Sequence, residues 1–385
     1  MNNWPTDVVS GSTLRCTVSP GALSASLALV SRAVSARSTL PVLSNVLLET
    51  QAEGLRLTAT NLDLTVSALV PATVLQEGRI TVPARLLSEY VASLDEAPCT
   101  LQVDERTQVL RVSCGTLTTN LHGIDAVEFP PLPVRDAEPA LEVDAVLFQQ
   151  GVAQTSVAAS GDEQTPVLTG VLLHVEGGRA TLVATDRHRL AVKRLDVEVR
   201  EESAALGSVI IPARHLSEVA RAVTPARPRI GIAFSESRNQ VFFTMKDVEI
   251  ASRLIEGTYP NYAQVIPADS ATKVVLSTEV LRRSARTAAV LARDAANPVR
   301  LRAGPGELEL RAQTAEVGDH DAPLAARVEG EEVQVAFNAR YLLDALQAID
   351  ADEVELGFNG PLQPAALRPH GRDDFLCVIM PVRVP

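Results

Sequence analysis

Asp186 and His188 stand two positions apart in the stretch Ala184-Thr185-Asp186-Arg187-His188-Arg189-Leu190-Ala191-Val192. A carboxylate that close to an imidazole is the least that general acid–base chemistry requires. Apolar Thr181-Leu182-Val183 leads into the stretch and Leu190-Ala191-Val192 leads out, so both flanks read as strands and the charged residues fall at the corner between them. A solvated turn explains the same residues, and spacing alone favours it. Asp319-His320-Asp321 has metal-ligand side chains, but after Gly318 it reads as a hairpin loop. Gly304-Pro305-Gly306 reads as a turn ahead of Glu307-Leu308-Glu309-Leu310. The chain holds no G-x-S-x-G elbow, no G-x-x-x-x-G-K-[ST] phosphate loop and no H-E-x-x-H helix. Cys16, Cys99, Cys114 and Cys377 share no metal-ligand spacing and read as free thiols of a reducing cytoplasm.

The elements that would position these residues come from a chain of 385 residues, enough for two or three domains with cores of their own. Aromatics make up only 3%, so Leu, Val and Ala must fill those cores. The net charge of -12 argues against general nucleic-acid affinity, although a basic face can persist on an acidic body. Residues 1–13 have no basic residue and no apolar core; they read as a tail rather than a signal peptide. No apolar run approaches the length of a membrane span.

The corner has counterparts elsewhere. Ala59-Thr60-Asn61-Leu62-Asp63 precedes it by 125 residues and Ala312-Gln313-Thr314-Ala315-Glu316 follows it by 128. Pro83-Ala84-Arg85-Leu86-Leu87-Ser88-Glu89 returns as Pro212-Ala213-Arg214-His215-Leu216-Ser217-Glu218, and more weakly as Asn338-Ala339-Arg340-Tyr341-Leu342-Leu343-Asp344. Leu40-Pro41-Val42-Leu43-Ser44-Asn45 returns as Thr165-Pro166-Val167-Leu168-Thr169-Gly170 and as Asn297-Pro298-Val299-Arg300-Leu301. Three markers in one order and at nearly one period define three copies. The period is too long for a solenoid unit, so each copy is a domain. Proline and charge cluster at Pro130–Pro139 and at Pro267–Ala271, which sets the divisions 1–13, 14–136, 137–268 and 269–385.

Each copy reads as two halves of one plan: strand, helix, then antiparallel strands, an α+β layout. Leu23, Leu27, Val30 and Val34 make one helical stripe; Leu87, Val91 and Leu94 make another. Further stripes are Leu216, Val219, Ala220 and Val223, then Leu342, Leu343, Leu346 and Ile349. Three helices read as basic: Pro20–Arg37 with Arg32 and Arg37, Arg214–Arg229 with four arginines against Glu218, and Glu279–Arg293 with four against Glu279. Ordinary solvated faces explain those charges as well.

Taken together, Thr39–Asn45, Ala184–Ala191, the three Pro/Asn-Ala-Arg helix starts, Tyr259-Pro260-Asn261-Tyr262 and the terminal Val378-Ile379-Met380-Pro381-Val382-Arg383 resemble the bacterial DNA polymerase III β sliding clamps, in order from about Leu14 to Val384. The resemblance implies a non-catalytic processivity factor without cofactor or metal. It implies three clamp domains per chain and a head-to-tail homodimer forming a ring in the cytoplasm, with helices lining a hole for double-stranded DNA. Such a ring holds DNA without reading sequence. The implied partners are the replicative polymerase α subunit, the clamp loader, and other polymerases and repair proteins that carry clamp-binding motifs. These motifs often pair Gln with a following Leu and Phe.

The resemblance further implies a peptide pocket between the second and third domains, formed by Leu168, Thr185, His188, Arg189, Leu190, Pro260, Val265, Asn338, Tyr341, Leu362, Pro364, Val378, Ile379, Met380, Pro381, Val382 and Arg383. Leu168, Leu190, Val265 and Ile379 are expected as its apolar floor, Met380 as an adaptable contact, and His188, Arg189, Asn338 and Arg383 as a polar rim. One pocket per chain is expected, because Asn61-Leu62-Asp63-Leu64 and Thr314-Ala315-Glu316-Val317 lack His and Arg. Arg37, Arg85 and Arg214 are the expected DNA-facing residues, and Val290 with Leu291 the expected dimer contact. A buried stripe within the domain is the other reading of that pair. Arg187 departs from a frequent Gly of the family, Gln264 from a frequent Arg, and Pro385 extends past the usual ending. An enzyme built on Asp186 and His188, or a three-domain scaffold that never meets DNA, are the rival readings.

Overall fold

The computed structural model describes residues 14–35, 40–104, 106–200, 207–292, 298–314 and 318–383. Arg37, Arg293, residues 1–13, residues 315–317 of the third-copy corner, and Pro385 lie outside them. Six α-helices are described: α1 Pro20–Val30, α2 Ala84–Ala92, α3 Ala145–Ser156, α4 Ala213–Ala222, α5 Thr278–Leu291 and α6 Ala339–Ala348. Each follows a short strand directly or after one residue, so the plan of strand, helix and antiparallel strands occurs six times. The helix starts have local causes. Pro20 occupies the first turn of α1. Asp144 accepts from the backbone N–H groups of Val146 and Leu147 ahead of α3, Ser277 from that of Val280 ahead of α5, and Asn338 from that of Arg340 ahead of α6.

Contacts divide the chain into two compact units, Met1–Glu142 with Ala222–Arg253, and Val143–Arg221 with Leu254–Pro385. The middle copy contributes its first half to one unit and its second half to the other. In the first unit the strands run Arg229–Phe234, Gln240–Met245, Val248–Arg253, Leu64–Val70, Gly54–Thr60, Asn45–Gln51, Arg79–Pro83. Val248–Arg253 of the second copy pairs antiparallel with Leu64–Val70 of the first, Ile250 opposite Val66. A smaller sheet orders Ala72–Gln76, Arg15–Val18, Cys99–Asp104, Val109–Cys114 and Leu117–His122. Leu23, Leu27 and Val30 of α1 and Leu87 and Val91 of α2 are buried, each removal from water being worth about 1.5–3 kcal/mol.

The second unit repeats this seam. Its nine-stranded sheet runs Gly207–Pro212, Gly170–Glu176, Arg179–Thr185, Arg189–Asp196, Phe375–Ile379, Ala365–Pro369, Glu353–Phe358, Thr272–Ser277, Arg327–Glu329. Arg189–Asp196 of the second copy pairs with Phe375–Ile379 of the third, Leu190 opposite Val378 and Val192 opposite Leu376. A four-stranded sheet orders Gly318–Ala325, Glu307–Thr314, Val299–Gly304 and Val333–Phe337. On the helical side, Gln154 of α3 donates to the Ala348 carbonyl of α6 at 2.6 Å.

Several expectations from the sequence need correction. Val34 and Leu94 lie beyond the ends of α1 and α2, because Ser31–Ala33 tightens into a 3₁₀ turn and Ser93 caps α2. Helix α4 stops at Ala222, ahead of Thr224-Pro225, where proline biases its predecessor toward extended backbone. Arg227 therefore leaves the helix and grips Asp247 with two hydrogen bonds of 2.6 and 2.8 Å, holding that carboxyl below its usual pKa. Arg229 opens a strand and faces Glu142 at 3.5 Å. The basic character expected of residues 214–229 is thus not a helical face. Asp319-His320-Asp321 lies in a sheet-edge strand rather than a hairpin loop; Arg311 opposite Asp321, with charges 3.2 Å apart, supplies a cross-strand reason. All four cysteines are free and buried. No described helix is long and apolar enough to cross a membrane.

Candidate peptide-binding groove

The corner Thr185–Leu190 is held by its own side chains. Thr185 donates to the Arg189 carbonyl at 2.7 Å and accepts from the Arg187 N–H at 3.2 Å. Asp186 Oδ1 accepts from the N–H groups of His188 and Arg189, both at 3.0 Å. These bonds hold Arg187 at φ 75°, a left-handed conformation that costs a residue with a Cβ about 1–2 kcal/mol. The first copy builds the same turn: Leu62 has φ 78°, its N–H donates to Thr60 Oγ1 at 3.1 Å, and Asn61 Oδ1 accepts from Asp63 and Leu64. The resemblance between copies therefore extends to individual hydrogen bonds.

Arg189 is 9% exposed and joins three elements. Its Nε donates to Asp186 Oδ2 at 2.9 Å and its Nη1 to Asp344 Oδ2 of α6 at 2.5 Å, while its guanidinium lies 4.5 Å over the Tyr341 ring. Burial pulls the Arg189 pKa down, but the bonds and charges of Asp344 and Asp186 outweigh burial, so it shifts upward and stays a cation. Burial raises the Tyr341 hydroxyl pKa, and Asp186 adds to the shift. His188 is exposed, with its ring 6.4 Å from that of Tyr341. Asp186 is thus a bracket for Arg189 and for the turn, not one half of an acid–base pair with His188. Among the described residues no cluster of three or more His, Cys, Asp or Glu is placed to hold a metal ion.

Alternation along the paired strands sorts the predicted residues onto two faces. Leu190 and Val378 lie opposite each other on one face, in a buried cluster with Leu172, Val183, Val192 and Ile210. Val167, Tyr259, Tyr262 and Ile266 pack against that cluster. Arg189 and Ile379 form the neighbouring register pair and point to the other face, toward α6. Ile379 therefore does not share a floor with Leu190. Val265 is not floor either: it ends the 3₁₀ turn Tyr262–Val265 and is 44% exposed. Buried Leu168 sits in the 3₁₀ turn Pro166–Thr169. Met380 continues past the corner, its N–H donating to the His188 carbonyl at 2.8 Å, and the Val382 N–H donates to the Ala336 carbonyl at 2.8 Å. Leu362 is exposed; Pro364, Pro381 and Val382 are partly buried, and Pro260, Gln264 and Arg383 are exposed. Buried Leu168, Leu190 and Val378 and exposed Val265, Leu362 and Met380 are thus the apolar members of the predicted set, beside a polar corner held by its own hydrogen bonds.

Sequence reasoning missed Asp186 and Asp344 as the carboxylates that hold Arg189. Asp186 was visible in the motif; Asp344 lies 155 residues away, and only the fold joins them. It also missed Thr165, which accepts from Arg187 Nη2 at 3.0 Å. Farther along the sheet a cavity of about 320 Å³ is lined by Arg194, Ile266, Arg368, Asp373, Phe375 and Leu376. Its cations are already engaged, Arg194 by the Asp373 carbonyl and Arg368 by Glu355.

The remaining predicted residues lie elsewhere. Arg85 is exposed on α2 and paired with Glu89 at 2.7 Å. Arg214 is exposed near the start of α4. Val290 is 56% exposed in the last turn of α5, and Leu291 is partly buried.

Models of the DNA polymerase III beta subunit match in chain order: the N-terminal domain over residues 14–133, the central domain over 142–261 and the C-terminal domain over 263–383. The Beta sliding clamp of Bacillus subtilis is 31% identical over 382 residues, covering 96% of this chain and 100% of that protein. That of Synechocystis is 35% identical over 380 residues, covering 94% and 97%. The crystal structure of the Bacillus subtilis clamp superimposes with a TM-score of 0.92 at 30% identity, covering 97% of this chain and 100% of that one. A Pseudomonas aeruginosa clamp bound to griselimycin gives 0.88 at 29% identity, with 97% and 100% covered. With three domain models in order, full-length relatives and a fold shared across nearly the whole chain, this protein belongs to the bacterial DNA polymerase III beta subunit family, the non-catalytic sliding clamps of DNA replication.

Proposed function

We propose that two copies of this chain, each organised as clamp domains 14–136, 137–268 and 269–385, close head to tail around double-stranded DNA in the cytoplasm, and that each copy presents one groove to the tails of replication and repair proteins. The replicative polymerase α subunit, the clamp loader, and other polymerases and repair proteins with clamp-binding motifs are the partners this reading names. Arg37, Arg85 and Arg214 face the duplex, and Val290 and Leu291 seat against the neighbouring copy. Contacts of this kind go to phosphate, so binding is independent of base sequence and weakens with salt. Encirclement, rather than affinity, retains the DNA.

The reading of a groove is supported by Leu190 and Val378 sharing one buried cluster, by exposed Met380 bonded through its N–H to the His188 carbonyl, and by a corner held by Arg189, Asp186 and Asp344. A short peptide with one polar and two apolar anchors fits such a surface, because a preformed site orders only the incoming chain. The experiment for encirclement is retention on circular DNA after loading. Protein that stays on closed circles and leaves when the circle is cut supports it. Equal retention on both forms favours simple DNA affinity, and retention on neither favours a scaffold that works without DNA.

A further inference from the structure

Among the described residues, no carboxylate pairs with Arg187, a cation of the corner. It is exposed, and among the described residues its only hydrogen-bonded side-chain partner is the neutral Thr165 hydroxyl at 3.0 Å. Asp186, its neighbour in sequence, is held by Arg189, and Asp162, whose carbonyl accepts from the Thr165 N–H, uses its Oδ1 to accept from the Gln164 N–H. The other arginine of the corner, Arg189, is buried between Asp186 and Asp344. Tyr259–Val265, whose Tyr259 and Tyr262 pack against the Leu190 cluster, carries no charged side chain. Arg187 is thus the corner's available positive charge, and the bond to Thr165, three residues before Leu168, steers it to the edge of the groove.

The turn itself does not require an arginine. At the same position of the same turn the first copy has Leu62, with φ 78° and the same bonds to Thr60 and Asn61. The backbone conformation therefore leaves the side chain free to be set by something outside the turn.

We propose that Arg187 is a specificity residue of this groove: it selects, among peptide tails with the same anchors, those carrying an aspartate or glutamate. The inference rests on the groove being a peptide site. The test uses the full-length chain and labelled synthetic peptides with Gln, Leu and Phe anchors. A single Asp is placed in turn at each remaining position and compared with Asn at the same position by fluorescence anisotropy. At least one position is expected to favour Asp over Asn by about three- to fivefold at low salt, as an exposed ion pair allows. That preference is expected to fade at high salt, to vanish in Arg187→Gln and Arg187→Gly, and to persist in Arg187→Lys. The Asn peptides should bind wild type and Arg187→Gln alike. Lack of any Asp preference overturns the proposal, as does a preference that survives in Arg187→Gln and disappears in Arg340→Gln or Arg383→Gln. If the Asn peptides fail to bind wild type at all, the groove assignment itself falls, which is a distinct result.

Discussion

At the scale of single residues, the corner illustrates how one buried arginine fixes a surface. Arg189 has surrendered water for Asp186, Asp344 and the Tyr341 face, so its charge organises the groove rather than meeting a ligand. Apart from Arg187, the surface proposed to meet a ligand is apolar. Leu190 lies at 2% exposure and Met380 at 36%, one as base and the other as adaptable lip. Replacing Leu190 and Met380 together with alanine removes both sides of one anchor site. The expected result is a loss of about tenfold or more in affinity for a Gln/Leu/Phe-anchored peptide, as for the central residues of other interfaces. Circular dichroism should be unchanged. Unaltered peptide affinity would place the binding surface elsewhere. The motif made this corner legible because Thr, Asp, His and Arg stand within five consecutive positions. It did not make the sides legible: Leu190 and Ile379 were both expected as floor, and the alternation of paired strands sends them to opposite faces.

At the scale of elements, the seam between second and third copies is a ladder of backbone hydrogen bonds reinforced by a buried cation. Lys193 is 5% exposed, and its Nζ reaches Asp374 Oδ2 at 2.6 Å. Partial burial of Asp374 opposes ionisation, but Arg372 and Lys193 outweigh it and draw the pKa from 3.8 down to about 2. A carboxyl held below its unfolded value contributes stability that is whole above the unfolded pKa and disappears as pH falls through the folded one. The contribution of Asp374 is therefore complete above about pH 5 and lost toward about pH 2. Asp374→Asn is expected to cost about 1–2 kcal/mol at neutral pH, a figure already reduced for solvent screening of a partly exposed carboxylate. Urea midpoints should show the gap between wild type and variant closing on acidification; a gap constant across that range would exclude the pair as the cause. Helices and their start signals were readable because capping is local. Their ends were less so. Arg227 and Arg229 looked helical until Pro225 and the partners Asp247 and Glu142 took them out.

At the scale of the whole molecule, the three sequence copies and the two compact units cut the chain differently. Sequence repeats follow descent, whereas compact units follow contacts, and the ladder from Arg189–Asp196 to Phe375–Ile379 binds halves of adjacent copies. A related economy is proposed for the dimer. Val290, 56% exposed in the last turn of α5, is a large apolar side chain that its own chain leaves in water. Val290→Ala with Leu291→Ala is expected to give monomers by light scattering, with retention on circular DNA lost in parallel. A double variant that stays dimeric would return the pair to an ordinary helix stripe.

Sequence alone was sufficient for the repeat, the α+β plan, the family and the identity of the corner, because each depends on residues near one another or on a pattern recurring at a fixed spacing. Tertiary structure alone decided which charges are available. Arg189 and Arg187 are two residues apart and alike on paper, yet one is enclosed by a carboxylate from 155 residues away and the other is left facing solvent beside Thr165. Charge is written in the sequence, but its neutralisation is a matter of distance in space, and a one-dimensional pattern holds no record of that.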